Sequence, residues 1–205
     1  MWKKGHYQIT DKLLIEAFVK ENSFGTLISN GEPFPEASHV PMEWEAGNDG
    51  QPVLRGHLAR TNTQWTRFAG SPGVLAIFQS PIHHYISSSW YEKPEAPTWD
   101  YMSVHIEGLI KVIDGPDLWE SLSRLVDKYE VIARAPVTLA TLPQTVLNQI
   151  KAIVGFEVSI DRINASFKMS QNRNETDYQA IIDELNILDT ASSRLMSNAL
   201  ANLRQ

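Results

Sequence analysis

Arg60 ends the strand-like run in GHLARTNTQW and is followed at once by Thr61 and Asn62, two residues that commonly cap helices. In an extended strand Leu54, Gly56, Leu58 and Arg60 face one way and Arg55, His57 and Ala59 the other, which puts Arg60 at a strand end. A guanidinium held beside a helix N-terminus is an anion site. It offers a fixed fork of donors next to the positive end of the helix dipole, and phosphate is the commonest tenant. The same residues also fit a plainer arrangement, a strand-end arginine paired with a surface carboxylate beside an ordinary cap.

Other residues carry weaker chemistry. Six histidines raise metal binding, His83 and His84 above all, but adjacent strand residues point to opposite faces and no HExxH spacing is present, so no metal site is expected. His39, His57 and His105 lie in strand patterns, where a hydrogen-bonded histidine is ordinary. His39 stands out because ASHVP ends in a proline that removes a backbone donor, as at a sheet edge or cavity rim. Ser87, Ser88 and Ser89 could line a ligand wall, and without a G-x-S-x-G turn no serine nucleophile is expected. Trp90, Tyr91, Trp99 and Tyr101 suit either a stacked planar cofactor or an interface. In ASFKMSQNRNE, Lys168, Gln171, Asn172 and Arg173 are either ligand donors or parts of a strand-to-helix connection capped by Asn174.

The elements that must position these residues follow from composition and periodicity. A chain of 205 residues, 42% hydrophobic, can bury one substantial core, so a single domain over 1–205 is expected, with 174–205 as its C-terminal helical extension. Cysteine is absent, which excludes disulfides, thiolate metal sites and cysteine nucleophiles and fits a reducing compartment. No apolar segment follows the basic N-terminus and no run approaches the roughly 18 apolar residues of a membrane span; a cytoplasmic protein is expected. The net charge of −6, and a stretch with Glu175, Asp177, Asp183, Glu184 and Asp189 but no lysine or arginine, give direct DNA binding no support.

Thr10 is read as the cap of a first helix, DKLLIEAFVKEN, with Leu14 and Phe18 on one face and Ile15 and Val19 on its flank. From Phe24 the chain breaks into short β-branched and aromatic runs, FGTLISN, ASHVPMEWE, QPVLRGHLAR, GVLAIFQS, HHYIS and WDYMSVHIEGLIKVI. About six strands with one brief helix after Thr61 predict a mainly β fold with flanking helices, a closed or partly closed barrel rather than a βαβ array. GPDLWESLSRLVDKYE predicts an amphipathic helix that buries Leu118, Leu122, Leu125, Val126 and Tyr129. A short helix and a long strand follow. Two last helices, with Tyr178, Ile181, Ile182 and Leu185 inward on the first and Leu195, Met196, Ala199, Leu200 and Leu203 on the second, pack on the barrel or on a dimer partner.

In order and spacing, FGTLIS, ASHVP, GHLARTNTQW, AIFQSP, HHYISSSWY, PTWDYMSVHIEG, IVGFEVSIDRI and FKMSQNR resemble the PaiB-like family, described as FMN-binding negative transcriptional regulators. The resemblance implies a six-stranded split β-barrel related to pyridoxamine-phosphate-oxidase-like flavoproteins, and a homodimer with FMN at its interface. It implies that Arg60, Thr61, Asn62 and Trp65 meet the FMN phosphate and that Ser38, His39 and Val40 lie beside the flavin ring. Trp99, Tyr101 and Ser103 would reach from one subunit toward the other's flavin. Ser87, Lys168 and Gln171 match family motifs without an assigned contact.

Two functions then compete: a redox-linked or negative transcriptional regulator, and an FMN-dependent oxidoreductase acting on a small molecule, for which His39 is the one candidate acid or base. Split-barrel relatives that bind haem, together with the histidines, add haem as a further reading. The chain departs from the family pattern in two places. SPIHHYISSSWY stands where something like GPHAYISPSWY is usual, and PTWDY stands for PTWNY. Asp100 cannot donate as an asparagine does, which predicts weaker FMN binding if that position touches the cofactor.

Overall fold

Runs of β-branched and aromatic residues give seven strands among the described residues, 5–93 and 95–203 of a computed structural model. They are β1 (Gln8–Ile9), β2 (Phe24–Ser29), β3 (Glu36–Ala46), β4 (Pro52–Ala59), β5 (Gly73–Ile86), β6 (Thr98–Ile113) and β7 (Ile153–Lys168). Their order is β1-β7-β4-β3-β2-β5-β6, and β6 also pairs with β7. Strands β2 to β7 therefore close into a six-stranded antiparallel barrel, the expected fold, with β1 as a short seventh strand. GVLAIFQS and HHYIS, read separately in the sequence, form one strand, β5. Its ladder with β2 covers Val74–Ile77, so Pro81, which has no N–H to give, lies beyond those rungs.

The chain divides into two compact units, of which one holds residues 16–78 and 106–163. Its interior is filled by Leu27, Met42, Leu54, Leu58, Ile106, Phe156 and Val158. Gly56 and Gly108 are required by close approach. A Cβ on Gly56 would sit 2.6 Å from the Phe156 ring, and one on Gly108 would sit 1.9 Å from the Ser159 carbonyl oxygen. Helix α2 (Gly115–Glu130) buries Leu118 and Leu122 against Leu139, with Val126, Leu142, Leu147 at the end of the short helix α3 (Gln144–Leu147), Ile150 and Ile153 packed around them. Tyr129, expected inward, is exposed instead. Its hydroxyl donates to Glu43 Oε1 at 2.9 Å and lies 2.5 Å from Ser23 Oγ, so a polar tip overrides the apolar ring.

The other unit comprises residues 5–15, 79–105 and 164–203 among those described. Here α4 (Glu175–Leu188) buries Tyr178, Ile181, Ile182 and Leu185 as its periodicity predicts. Helix α5 (Ala191–Leu203) buries Met196 and Leu200 but leaves Leu195 and Leu203 exposed, and the Leu200 carbonyl accepts from the Tyr178 hydroxyl at 2.8 Å. Helix α1 (Lys12–Glu21) is capped by Asp11 rather than Thr10. The Asp11 carboxylate accepts from the N–H groups of Leu13 and Leu14, at 2.9 and 3.3 Å. Phe18 is buried as expected, but the inward stripe is centred on the flank residues Ile15 and Val19, both buried, and Leu14 is exposed. Among the described residues no helix is long and apolar enough to cross a membrane.

Candidate functional site

Arg60 directly follows β4, and its placement is fixed by backbone of the 3₁₀ turn Asn148–Ala152 and of the first residue of β7. Its N–H donates to the Ala152 carbonyl at 2.8 Å, and its side-chain Nε and Nη2 donate to the carbonyls of Lys151 and Ile153 at 3.0 Å each. The guanidinium lies 5.7 Å from the centre of the Trp65 ring, and the Trp65 indole N–H donates back to the Arg60 carbonyl at 3.1 Å. No carboxylate among the described residues pairs with Arg60, and the side chain is exposed, so its remaining N–H groups face solvent or a ligand.

The helix expected after Thr61 is a five-residue 3₁₀ turn, Thr63–Arg67. Asn62 caps it, accepting from the Gln64 N–H at 3.0 Å while its Nδ2 donates to Ser38 Oγ at 2.7 Å. That turn is too short for a useful dipole, and the cap takes one of its leading amides. What the site offers an anion is therefore Arg60 with the hydroxyls of Thr61 and Ser38. Next to Ser38 on β3, His39 is exposed, with Nδ1 3.0 Å from Thr26 Oγ1, while Val40 is buried.

Gln64 anchors the turn and is not among the expected site residues. Only 2% exposed, it donates from Nε2 to the carbonyls of Leu27 and Glu36, at 3.2 and 3.3 Å, and to Ser29 Oγ at 3.0 Å. One amide thus ties the turn to β2 and β3. Its place inside NTQW, between the cap and Trp65, is the signal that could have found it.

The remaining predicted residues belong to the other unit. Ser87 caps a 3₁₀ turn, Ser88–Trp90, accepting from the Ser89 N–H at 3.3 Å. Trp99 is 54% exposed, its ring 6.1 Å from that of His83 and 5.9 Å from that of Tyr85. Tyr101 is half-buried and Ser103 buried. Lys168 is buried, donating to the Trp99 carbonyl at 2.7 Å and to Thr98 Oγ1. Gln171 directs both ends of its amide to backbone, Nε2 to the Phe167 carbonyl at 2.5 Å and Oε1 to the Met169 N–H at 2.7 Å.

Asp100 has no exposed surface. It accepts from Ser170 Oγ at 2.6 Å and stands 3.9 Å from Lys168 Nζ. The aspartate that replaces the usual asparagine is thus enclosed within the fold of this unit. Burial pushes its carboxyl up to about 6, with the Ser170 hydrogen bond and the Lys168 charge working against the shift.

A buried ion network is a second feature with no local signal in the sequence. Arg55, 1% exposed, donates from Nε to Glu157 Oε2 at 2.8 Å, and its Nη1 lies 3.5 Å from Glu45 Oε2. Arg124 and Lys128 on α2 reach Glu45 and Glu43 at 2.9 and 2.6 Å, and Lys111 reaches Glu157 at 2.7 Å. Alternate acids on β3 face bases one helical turn apart on α2, which clamps the helix to the sheet.

Residues 1–162 match the family described as "Putative FMN-binding domain". The chain is also 36% identical, over 201 residues, to the "Protease synthase and sporulation protein PAI 2" of Bacillus subtilis, an alignment that covers 98% of this chain and 96% of that protein. The chain belongs to the PaiB-like family of FMN-binding proteins.

Solved structures share its fold at low identity. The flavocytochrome Anf3 from Azotobacter vinelandii superposes with a TM-score of 0.62 at 14% identity, over 87% of this chain and 78% of that one. The protein Rv2991 from Mycobacterium tuberculosis gives 0.58 at 15% identity, over 85% of this chain and 95% of that one. The cofactor of this PaiB-like chain is FMN, and its residues fit that group. A phosphate monoester needs charge-assisted donors held in place, and Arg60 is an exposed guanidinium oriented by two carbonyls, with hydroxyls of Thr61 and Ser38 on the same segment pair.

Proposed function

We propose that this protein works as an FMN-binding homodimer with a redox-linked regulatory role of the PaiB type. The observation that carries the reading is the anchoring of Arg60 between the carbonyls of Lys151 and Ile153, which holds a guanidinium in a set orientation without a carboxylate partner among the described residues. In this reading Arg60 and Thr61 hold the FMN phosphate. Asn62 and Gln64 keep the turn that carries Trp65 in place, and Ser38, His39 and Val40 lie beside the ring system. Trp99, Tyr101 and Ser103 serve the flavin of the partner subunit, with Ser87, Lys168 and Gln171 shaping the backbone around them.

Bound FMN would supply reversible electron uptake and release, while the chain binds, orients and shields it. The acidic α4 makes direct operator contact an unnecessary part of the proposal, so regulation would pass through a protein partner or through the redox state itself.

The test is a titration of the apo-protein with FMN followed by flavin fluorescence, beside Arg60→Ala and a riboflavin control that lacks the phosphate. Tight FMN binding weakened by about 10- to 100-fold on losing either the arginine or the phosphate is expected, as for one charge-assisted contact. Absence of uptake by the wild type would sink the reading. Light scattering on the same samples, with mass of two chains expected, checks the dimer.

A second reading, an FMN-dependent oxidoreductase acting on a small molecule, is favoured by one observation. His39 is exposed, and the contact of its Nδ1 with Thr26 Oγ1 leaves Nε2 for a substrate proton. Steady turnover of reduced nicotinamide or pyridoxamine phosphate, lost in His39→Ala with FMN still bound, would establish it.

A further inference from the structure

Asp100 is a buried carboxylate with too few donors around it. An ionised carboxylate has about four acceptor sites, yet the hydrogen bonds to Asp100 among the described residues come from Ser170 alone, its Oγ on Oδ2 and its backbone, and Oδ1 receives none. The Lys168 ammonium, at 3.9 Å from Oδ1, is directed to Thr98 Oγ1 and the Trp99 carbonyl. Among the described residues, the other charged and titratable groups facing Asp100 are Tyr7 ahead of β1, Tyr91 after the Ser88–Trp90 turn, and Arg173 beyond β7. Arg173 in turn pairs with Glu95 at 3.0 Å and stacks 4.3 Å from the Tyr91 ring centre.

The element that bonds the carboxylate is the turn Met169–Arg173, through Ser170. Ser170 lies there at φ 53, a left-handed conformation that non-glycine residues rarely adopt. Within the turn, the Met169 N–H donates to Gln171 Oε1 and the Arg173 N–H to the Ser170 carbonyl at 2.9 Å; from outside it, the Tyr7 hydroxyl donates to Asn172 Oδ1 at 2.8 Å.

We propose that Asp100 makes the turn Met169–Arg173 a proton-dependent latch on the start of β6, closed over the neutral carboxyl and loosened when the carboxyl ionises. The enclosed carboxyl titrates at about 6 because burial disfavours its charge, and exposure to water returns it toward 3.8. Linkage then makes opening more favourable as pH rises, by about 100-fold over the whole titration and about tenfold between pH 5 and pH 7.5. Asp100 lies between Trp99 and Tyr101, and Lys168, the last residue of β7 ahead of the turn, is bonded to the Trp99 carbonyl. The proposal is independent of FMN and is read on the cofactor-free chain.

The experiment is amide hydrogen exchange of the full chain from pH 5 to pH 7.5, corrected for the intrinsic base-catalysed rate, in the wild type and in Asp100→Asn. Opening of residues 169–173 should rise about tenfold in the wild type and stay flat in the variant, which accepts from Ser170 but does not titrate. Carboxyl carbon NMR of the wild type, needing no substitution, should show Asp100 titrating near 6. An ordinary carboxylate midpoint near 4, protection that ignores pH in the wild type, or an equal tenfold rise in Asp100→Asn would each overturn the latch.

Discussion

Arg60 Nη2 donates to the Ile153 carbonyl at 3.0 Å, joining the residue just past the end of β4 to the first residue of β7. The β4–β7 ladder ends where Ala59 faces Ile153, and the Arg60 side chain continues the bonding there with its own N–H groups. A strand end normally frays. Here a side chain stitches it, and the same stitching orients the guanidinium before any ligand arrives, so an anion meets a prepared donor instead of a flexible one.

Arg60→Lys should therefore behave almost as badly as alanine toward FMN. A single ammonium cannot bridge two carbonyls and still present a planar fork to phosphate. FMN affinity is expected to fall by about 10- to 100-fold while riboflavin affinity stays within about twofold of the wild type, since riboflavin has no phosphate to lose. Parallel fluorescence titrations decide this; an equal loss for both flavins would move the role of Arg60 from the phosphate to the ring.

Gln64→Leu should destabilise the fold as well as the site. Three acceptors on β2 and β3, the Leu27 and Glu36 carbonyls and Ser29 Oγ, would lose a buried donor. The expected cost is on the order of 2–4 kcal/mol in urea unfolding, given about 1–3 kcal/mol for leaving a buried polar group unpaired. FMN affinity should fall with it, because Asn62 and Trp65 ride on the same turn. A variant as stable as the wild type would show that the turn stands without this amide.

How much of this is legible in the sequence depends on the range of the interaction. The barrel is legible because each strand announces itself by local alternation, and the inward face of α4 because four apolar residues recur at helical spacing. Arg60 is legible as a strand-end arginine followed by cap residues. Arg55 is not, because nothing near it in sequence says that a later helix will cover that face of β4 and bring Arg124 beside Glu45. Asp100 is visible as a departure from PTWNY, but its local pattern places it beside exposed Trp99. Its enclosure depends on Ser170, a residue from a turn after a different strand. Leu14 and Tyr129 fail for a similar reason, since which edge of an apolar stripe stays exposed is set by the neighbour and not by the stripe.

The Arg55 network gives a prediction about specificity of packing. Glu157→Gln leaves the enclosed guanidinium without its main counter-charge and is expected to cost about 3–5 kcal/mol. The double variant Arg55→Met with Glu157→Leu removes both charges and should recover most of that loss, because the desolvation penalty goes with them. Chemical denaturation of the two variants separates these outcomes; a double variant as unstable as the single would mean that the network holds α2 by more than charge balance.

Asp100 also governs how global stability responds to pH, and the sign follows from the direction of its shift. Its folded value, about 6, lies above the unfolded value near 3.8, so the folded chain binds the proton more tightly. Its contribution to stability is therefore full below about pH 4 and is lost as pH rises through 6. The lost contribution is about 3 kcal/mol at most, with a slope of up to about 1.4 kcal/mol per pH unit between the two values. Asp100→Asn keeps an acceptor for Ser170 and removes the titration. Compared at a series of pH values, the stability difference between variant and wild type should grow in favour of the variant from pH 4 to pH 7 and level off above it. A difference that is constant across that range would mean that Asp100 keeps the same protonation state in the folded and unfolded chains.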